Sequence, residues 1–102
     1  AELRREARYA EVVGLDVEWK PDKYKGSQNK AAVLQLAFPS GNTYVLHLAT
    51  LGALPQEVQA MLRAARCVKV GFAAEKNDVP KLALAGVKVD PGSLYDMQRP
   101  CE

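Results

Sequence analysis

A chain of 102 residues, 48% hydrophobic and 25% charged, is one globular domain able to bury a modest core. The net charge of +2 is too small to argue for a nucleic-acid partner by itself, and no apolar stretch approaches the length of a membrane span. Cys67 and Cys101 lack a metal-ligand spacing such as C-x-x-C and point to no disulfide framework, so a reducing compartment is the default.

Residues 2–9 are expected to form a short charged helix or an arm, within a possible N-terminal arm over residues 1–10. They are too charged for a secretory signal, and the chain begins at Ala1 rather than Met. An excerpt of a longer protein is therefore expected, and localisation stays open, with an intracellular setting, nuclear or cytoplasmic, favoured. Residues 11–19 are apolar and β-branched, which predicts a buried strand. This strand ends in Asp16-Val17-Glu18-Trp19. Side chains alternate along a strand, so Asp16 and Glu18 share a face and Trp19 points the other way. Two close carboxylates repel each other unless a cation sits between them. They are either a metal-holding pair or two surface acids at a strand end.

Residues 20–30 are a polar loop with four lysines, Lys20, Lys23, Lys25 and Lys30. Half of the chain's 14 basic residues lie in the first thirty positions. The lysines form either a solvated loop or a phosphate-holding patch near the acids. Residues 31–38 predict a second strand, Pro39 to Asn42 a hairpin-like turn, and 43–48 a third strand, making an antiparallel meander. His47 is read as a core or edge residue.

The period then changes. Leu54, Val58, Met61, Leu62 and Ala65 repeat at helical spacing, with Pro55 suited to a first turn. Residues 67–71 predict a short strand in which Cys67 is buried. Residues 78–85 predict a helix closed by Gly86. At its start, Asn77 or Asp78 is a helix cap, and Asp78 is also a candidate third metal-coordinating carboxylate; the two readings are compatible. Val87 to Val89 is another short strand or extended segment, Asp96 a turn or cap residue, and Ser93 to Gln98 opens an element that the chain does not finish. The order β-β-β-α-β-α-β predicts an α/β fold: a mixed sheet with helices on its faces. Ligands of such sheets collect beyond the carboxyl ends of strands, where Asp16 and Glu18 lie.

From Glu11 to Gln98 the chain resembles the DEDD superfamily of 3′–5′ exonucleases, and within it the Werner-syndrome-type domain. Gly14-Leu15-Asp16-Val17-Glu18-Trp19-Lys20-Pro21 is similar to that family's G-[FL]-D-x-E-W-x-P. Lys30 to Ala37 is similar to its K-x-A-x-[IL]-Q-[LI]-[AC] strand. Lys69-Val70-Gly71 followed by Asp78-Val79-Pro80-Lys81-Leu82 is similar to K-x-G and D-x-x-K-L, and Leu94 to Met97 to L-x-D-[LV].

The resemblance implies a ribonuclease-H-like fold and two divalent ions, Mg²⁺ or Mn²⁺, held by four carboxylates. Asp16, Glu18 and Asp78 match the first three. It also implies hydrolysis of the 3′-terminal phosphodiester of DNA or RNA. Trp19 is read as a core residue or a base-stacking one, and with Lys20, Lys23, Lys25 and Lys30 it makes up the candidate nucleic-acid contacts. The fourth acid of the family sits in a Tyr-x-x-x-Asp or His-x-x-x-Asp motif on a later helix. The chain ends at Glu102 before that motif, so residues 1–102 read as one partial domain lacking the C-terminal helices that would cover apolar sheet surface. The gap from Gly71 to Asp78 is one residue longer than the family's. That would put Asn77 in the aspartate's place, but Lys81-Leu82 at family spacing favours Asp78. The alternative reading is a catalytically silent exonuclease-like module that binds RNA, DNA or a protein partner.

Overall fold

The computed structural model describes residues 2–19, 29–71 and 77–97. The polar loop carrying Lys20, Lys23 and Lys25 lies outside the described residues, as does Cys101. In chain order the elements are α1 (Glu2–Tyr9), β1 (Val12–Glu18), β2 (Val33–Ala37), β3 (Thr43–His47), α2 (Leu48–Leu51), α3 (Gln56–Arg63), β4 (Val68–Gly71), α4 (Val79–Leu84), a 3₁₀ turn (Pro91–Ser93) and β5 (Leu94–Asp96). Among these, no helix is long and apolar enough to cross a membrane.

The five strands form one sheet in the order β3-β2-β1-β4-β5. β1 and β2 pair antiparallel with Asp16 opposite Gln35, and β2 and β3 with Leu34 opposite Leu46. Tight turns suffice for such neighbours. Gly41 supplies the positive φ of +97° that the β2–β3 turn requires. β4 joins β1 in parallel, with Gly14 opposite Val70, and β5 joins β4 in parallel. Parallel neighbours need crossovers, which α3 and α4 supply.

Period-two alternation sorts the side chains. Val13, Leu15, Val17, Leu34 and Leu36 point to the helix-covered face and are buried. There they meet Ala7 of α1, Val58, Met61 and Leu62 of α3, and Leu82 of α4 in a single core. Each fully buried aliphatic side chain contributes roughly 1.5–3 kcal/mol relative to exposure, so this face dominates the stability. α1 carries Glu2 in its first turn and Arg8 in its last, matching the helix dipole. It is held to α3 by Arg4 and Arg8, which pair with Glu57 at 3.8 and 3.4 Å. Glu6 of α1 accepts hydrogen bonds from Ser40 Oγ, from Asn42 Nδ2 at 3.0 Å and from the Tyr44 hydroxyl at 2.9 Å. One carboxylate thereby fastens α1 to the β2–β3 hairpin.

The other face of the sheet is open. Val12, Val45, Val68 and Tyr95 project from it exposed, and Met97 is exposed just beyond β5.

Three expectations shift. Val87 to Val89 adds no strand: the Val87 N–H donates to the Leu82 carbonyl and the Asp90 N–H to the Leu62 carbonyl, so the segment straps α4 to α3. The fifth strand comes later, at Leu94–Asp96, and contains Asp96, which is therefore neither a turn nor a cap residue. The one-turn helix α2 follows β3 directly and was not anticipated.

Candidate active site

Asp16 lies near the carboxyl end of β1 on the open face, and Glu18 lies two residues on, exposed on the same side. The Val17 N–H donates to Asp16 Oδ1 at 3.0 Å, which fixes one carboxylate oxygen close to the strand. Gly14, Gln35, Ala37, Val70 and Met97 surround a hollow of ≈ 410 Å³ with Asp16 on its wall. The hollow exists because two of its neighbouring positions carry almost no side chain. A Cβ at Gly14 would stand 3.4 Å from the Ala37 Cβ. A larger hollow of ≈ 670 Å³ lies between α1 and the β2–β3 turn, away from these acids.

At the start of α4, Asp78 and its neighbour Asn77 differ in burial. Asp78 is 4% exposed, while Asn77 is exposed. Asp78 is already in helical conformation, at φ −70° and ψ −46°, and its side chain makes no capping hydrogen bond. The carboxyl is buried without serving the helix end. Burial pushes it up to about 6, and the negative charges of Asp16 and Asp96 add to that. The charges of Asp16 on β1 and Asp96 on β5 thus both reach Asp78 at the head of α4.

Asp96 is the member that sequence reasoning missed. It is buried, and it pairs with Gly71 at the end of β4. A three-residue strand behind a Pro-Gly-Ser turn offers no alternation to detect. The L-x-D resemblance was the one signal available, and it named no role.

The remaining candidates fall as follows. Trp19 packs partly buried against the core, with Lys81 Nζ 5.4 Å from its ring centroid. Lys30 is exposed at the entrance to β2, and the N–H of its neighbour Ala31 donates to the Lys81 carbonyl at 3.0 Å. His47 is exposed on the open face at the end of edge strand β3, opposite Val33, which in turn sits opposite Glu18. Cys67 is buried beside β4, and burial pushes its thiol up.

Oxygen donors of this kind suit hard divalent cations. The negative field at Asp78 is also what such a cation would relieve. Among the described residues, however, no three Asp, Glu, His or Cys side chains converge closely enough to form a cation site by themselves. The acids fit the charge and chemistry of a metal centre, and they do not close one.

Comparison with known proteins gives the class first. The solved structure of the EXD2 exonuclease domain superposes with a TM-score of 0.75 at 27% identity, covering 95% of this chain and 50% of that one. The same domain soaked in Mn and GMP gives a TM-score of 0.72 at 26% identity, over 95% and 48%. No protein-family profile matches the chain. Two curated proteins do. A 3′–5′ exonuclease of Arabidopsis thaliana is 31% identical over 98 residues, spanning 94% of this chain and 34% of its own. The bifunctional 3′–5′ exonuclease/ATP-dependent helicase WRN of Mus musculus is 29% identical over 80 residues, spanning 78% of this chain and 6% of its own. The chain thus matches a minor part of these two relatives and about half of the solved domain. Sequence and fold together place it among the DEDD-superfamily 3′–5′ exonuclease domains, with the mixed, ribonuclease-H-like sheet that those domains carry.

Proposed function

We propose that this chain carries the acid-bearing sheet of a metal-dependent 3′–5′ exonuclease, which hydrolyses the 3′-terminal phosphodiester of DNA or RNA. The observation that supports it most is Asp78: buried, not capping, and held in the field of Asp16. A fold gains nothing in stability from that arrangement, because like charges out of water destabilise each other. A site that recruits a divalent cation explains it.

In this reading Asp16, Glu18 and Asp78 hold Mg²⁺ or Mn²⁺, the ions into which the related EXD2 domain was soaked. When bound, two such ions activate water and neutralise charge developing on the phosphodiester. The chain's own residues do the rest. The Val17 N–H orients Asp16 through Oδ1, leaving the other oxygen to turn outward. The head of α4 fixes Asp78 in a low-dielectric position, so its carboxylate interacts strongly with any cation that reaches it. Lys30, with Lys20, Lys23 and Lys25 of the adjoining loop, offers cations to the phosphates of the strand. Trp19 offers an aromatic edge beside them.

The experiment is digestion of 5′-labelled and 3′-labelled oligonucleotides with Mg²⁺ by the protein and by Asp16→Ala. Stepwise shortening from the 3′ end, abolished in the variant without loss of fold, is the expected result. Unchanged digestion in Asp16→Ala removes the assignment.

The longer spacing from Gly71 to Asp78 supports a second reading, a silent module that binds nucleic acid or a protein partner. It predicts salt-sensitive nucleic-acid binding with no shortening and no metal requirement.

A further inference from the structure

The most unusual side chain outside the acid cluster is Lys69. It lies in β4, is fully buried, and is the largest side chain in the molecule with no exposed surface. Its Nζ donates to the Ala64 carbonyl at 2.6 Å and to Ser93 Oγ at 2.9 Å. Ala64 caps the carboxyl end of α3, and Ser93 is the residue immediately before β5. Ser93 Oγ in turn reaches the Asp90 carbonyl at 3.3 Å. A single ammonium therefore joins β4, the end of α3 and the entry to β5.

An apolar side chain of similar length would fill this space at no desolvation cost, and replacing a buried charge in that way is often neutral or stabilising. Packing alone does not explain a lysine here. The strand it leads into does. β5 has three residues, each paired once with β4: Leu94 with Lys69, Tyr95 with Val70, and Asp96 with Gly71. So short a strand specifies its register weakly. A slip of one residue would turn every side chain to the opposite face. Asp96 would leave the helix-covered side for the open face, and Tyr95 would be driven inward.

We infer that Lys69 and Ser93 act as a register pin: their buried hydrogen bond sets the pairing of β5 on β4 and so holds Asp96 on the side of the sheet that α4 covers. Both are positioning residues, and neither touches a substrate. The inference rests on the proposed acid site only for its functional consequence; the pin itself is a statement about strand register.

Lys69→Met in the full chain tests it, with Ser93→Ala as a second variant should the first fail to fold. The readout is amide hydrogen exchange at Met97, whose N–H donates to the Gly71 carbonyl at 2.7 Å in this register alone. The expected result is a variant whose β1 and β2 amides stay protected while Met97 exchanges at least roughly tenfold faster. Mn²⁺ affinity measured on the same samples should fall by a similar factor. Met97 protection equal to the parent's overturns the inference. So does a loss spread evenly over all strands, which is what a merely stabilising lysine would give. Freed Met97 with unchanged Mn²⁺ affinity overturns the link to the acid site. A parent protein that binds no Mn²⁺ condemns the acid-site reading instead, and the exchange data then decide the pin by themselves.

Discussion

Asp78, at the head of α4, sits in the electrostatic field of Asp16 on β1, although sixty-one residues of chain lie between them. The contact is a product of topology. β4 lies parallel to β1, so the segment leaving β4 must start α4 at the same end of the sheet where β1 delivers its acids.

The pH dependence of stability follows from that relationship. The folded-state carboxyl of Asp78 is raised from 3.8 to about 6, so the native state binds this proton more tightly than the unfolded chain does. The stabilisation is fully present below pH 3.8 and is lost as pH rises through about 6. The size is on the order of 2–3 kcal/mol. Urea unfolding between pH 4 and 7 should show this loss in the parent and a flatter profile in Asp78→Asn. Parallel profiles would contradict the burial of that charge.

Leu82 anchors the helix that presents Asp78, since it is the buried residue of α4. Leu82→Ala is expected to cost about 2–4 kcal/mol, from lost transfer energy and the cavity left behind. Denaturant unfolding measures it. A cost below about 1 kcal/mol would mean that α4 is not held by the core.

The Glu6 cluster can be read from one tyrosine. Burial raises the Tyr44 hydroxyl above its ordinary range, and the hydrogen bond and charge of Glu6 raise it further. Glu6→Gln should move the Tyr44 titration back toward 10 and loosen the β2–β3 turn, as followed by NMR. An unmoved Tyr44 would show that α1 and the hairpin are not joined in solution.

The open sheet face gives a prediction about stickiness. Val45, Val68 and Tyr95 are 51%, 41% and 62% exposed on the open face of the sheet. The chain should bind an apolar fluorescent dye, and Val45→Lys with Val68→Lys should lower that signal. No dye signal in the parent would show that the face is covered.

Much of this architecture was legible in the residues because the relevant signals are periodic. The alternation of Val13, Leu15 and Val17 with Asp16 and Glu18 declared both a strand and the face its acids take. The 3.6-residue spacing of Val58, Met61 and Leu62 declared α3. Short elements carry no period. α2 went unseen for that reason, β5 showed only as an unfinished element over Ser93 to Gln98, and Val87 to Val89 was open between strand and extended segment because β-branched residues suit both. The role of Asp78 was open between cap and site because a sequence does not show which way a helix-start carboxyl turns. Its burial and backbone conformation depend on tertiary packing.

The central claim is that the acids of β1 and α4 share a cation, and Mn²⁺ titration by calorimetry tests it most directly. The account predicts saturable binding by the parent at pH 7, weakened at least roughly tenfold in both Asp16→Ala and Asp78→Asn while the fold survives. Equal binding by all three proteins, or none by the parent, would contradict it.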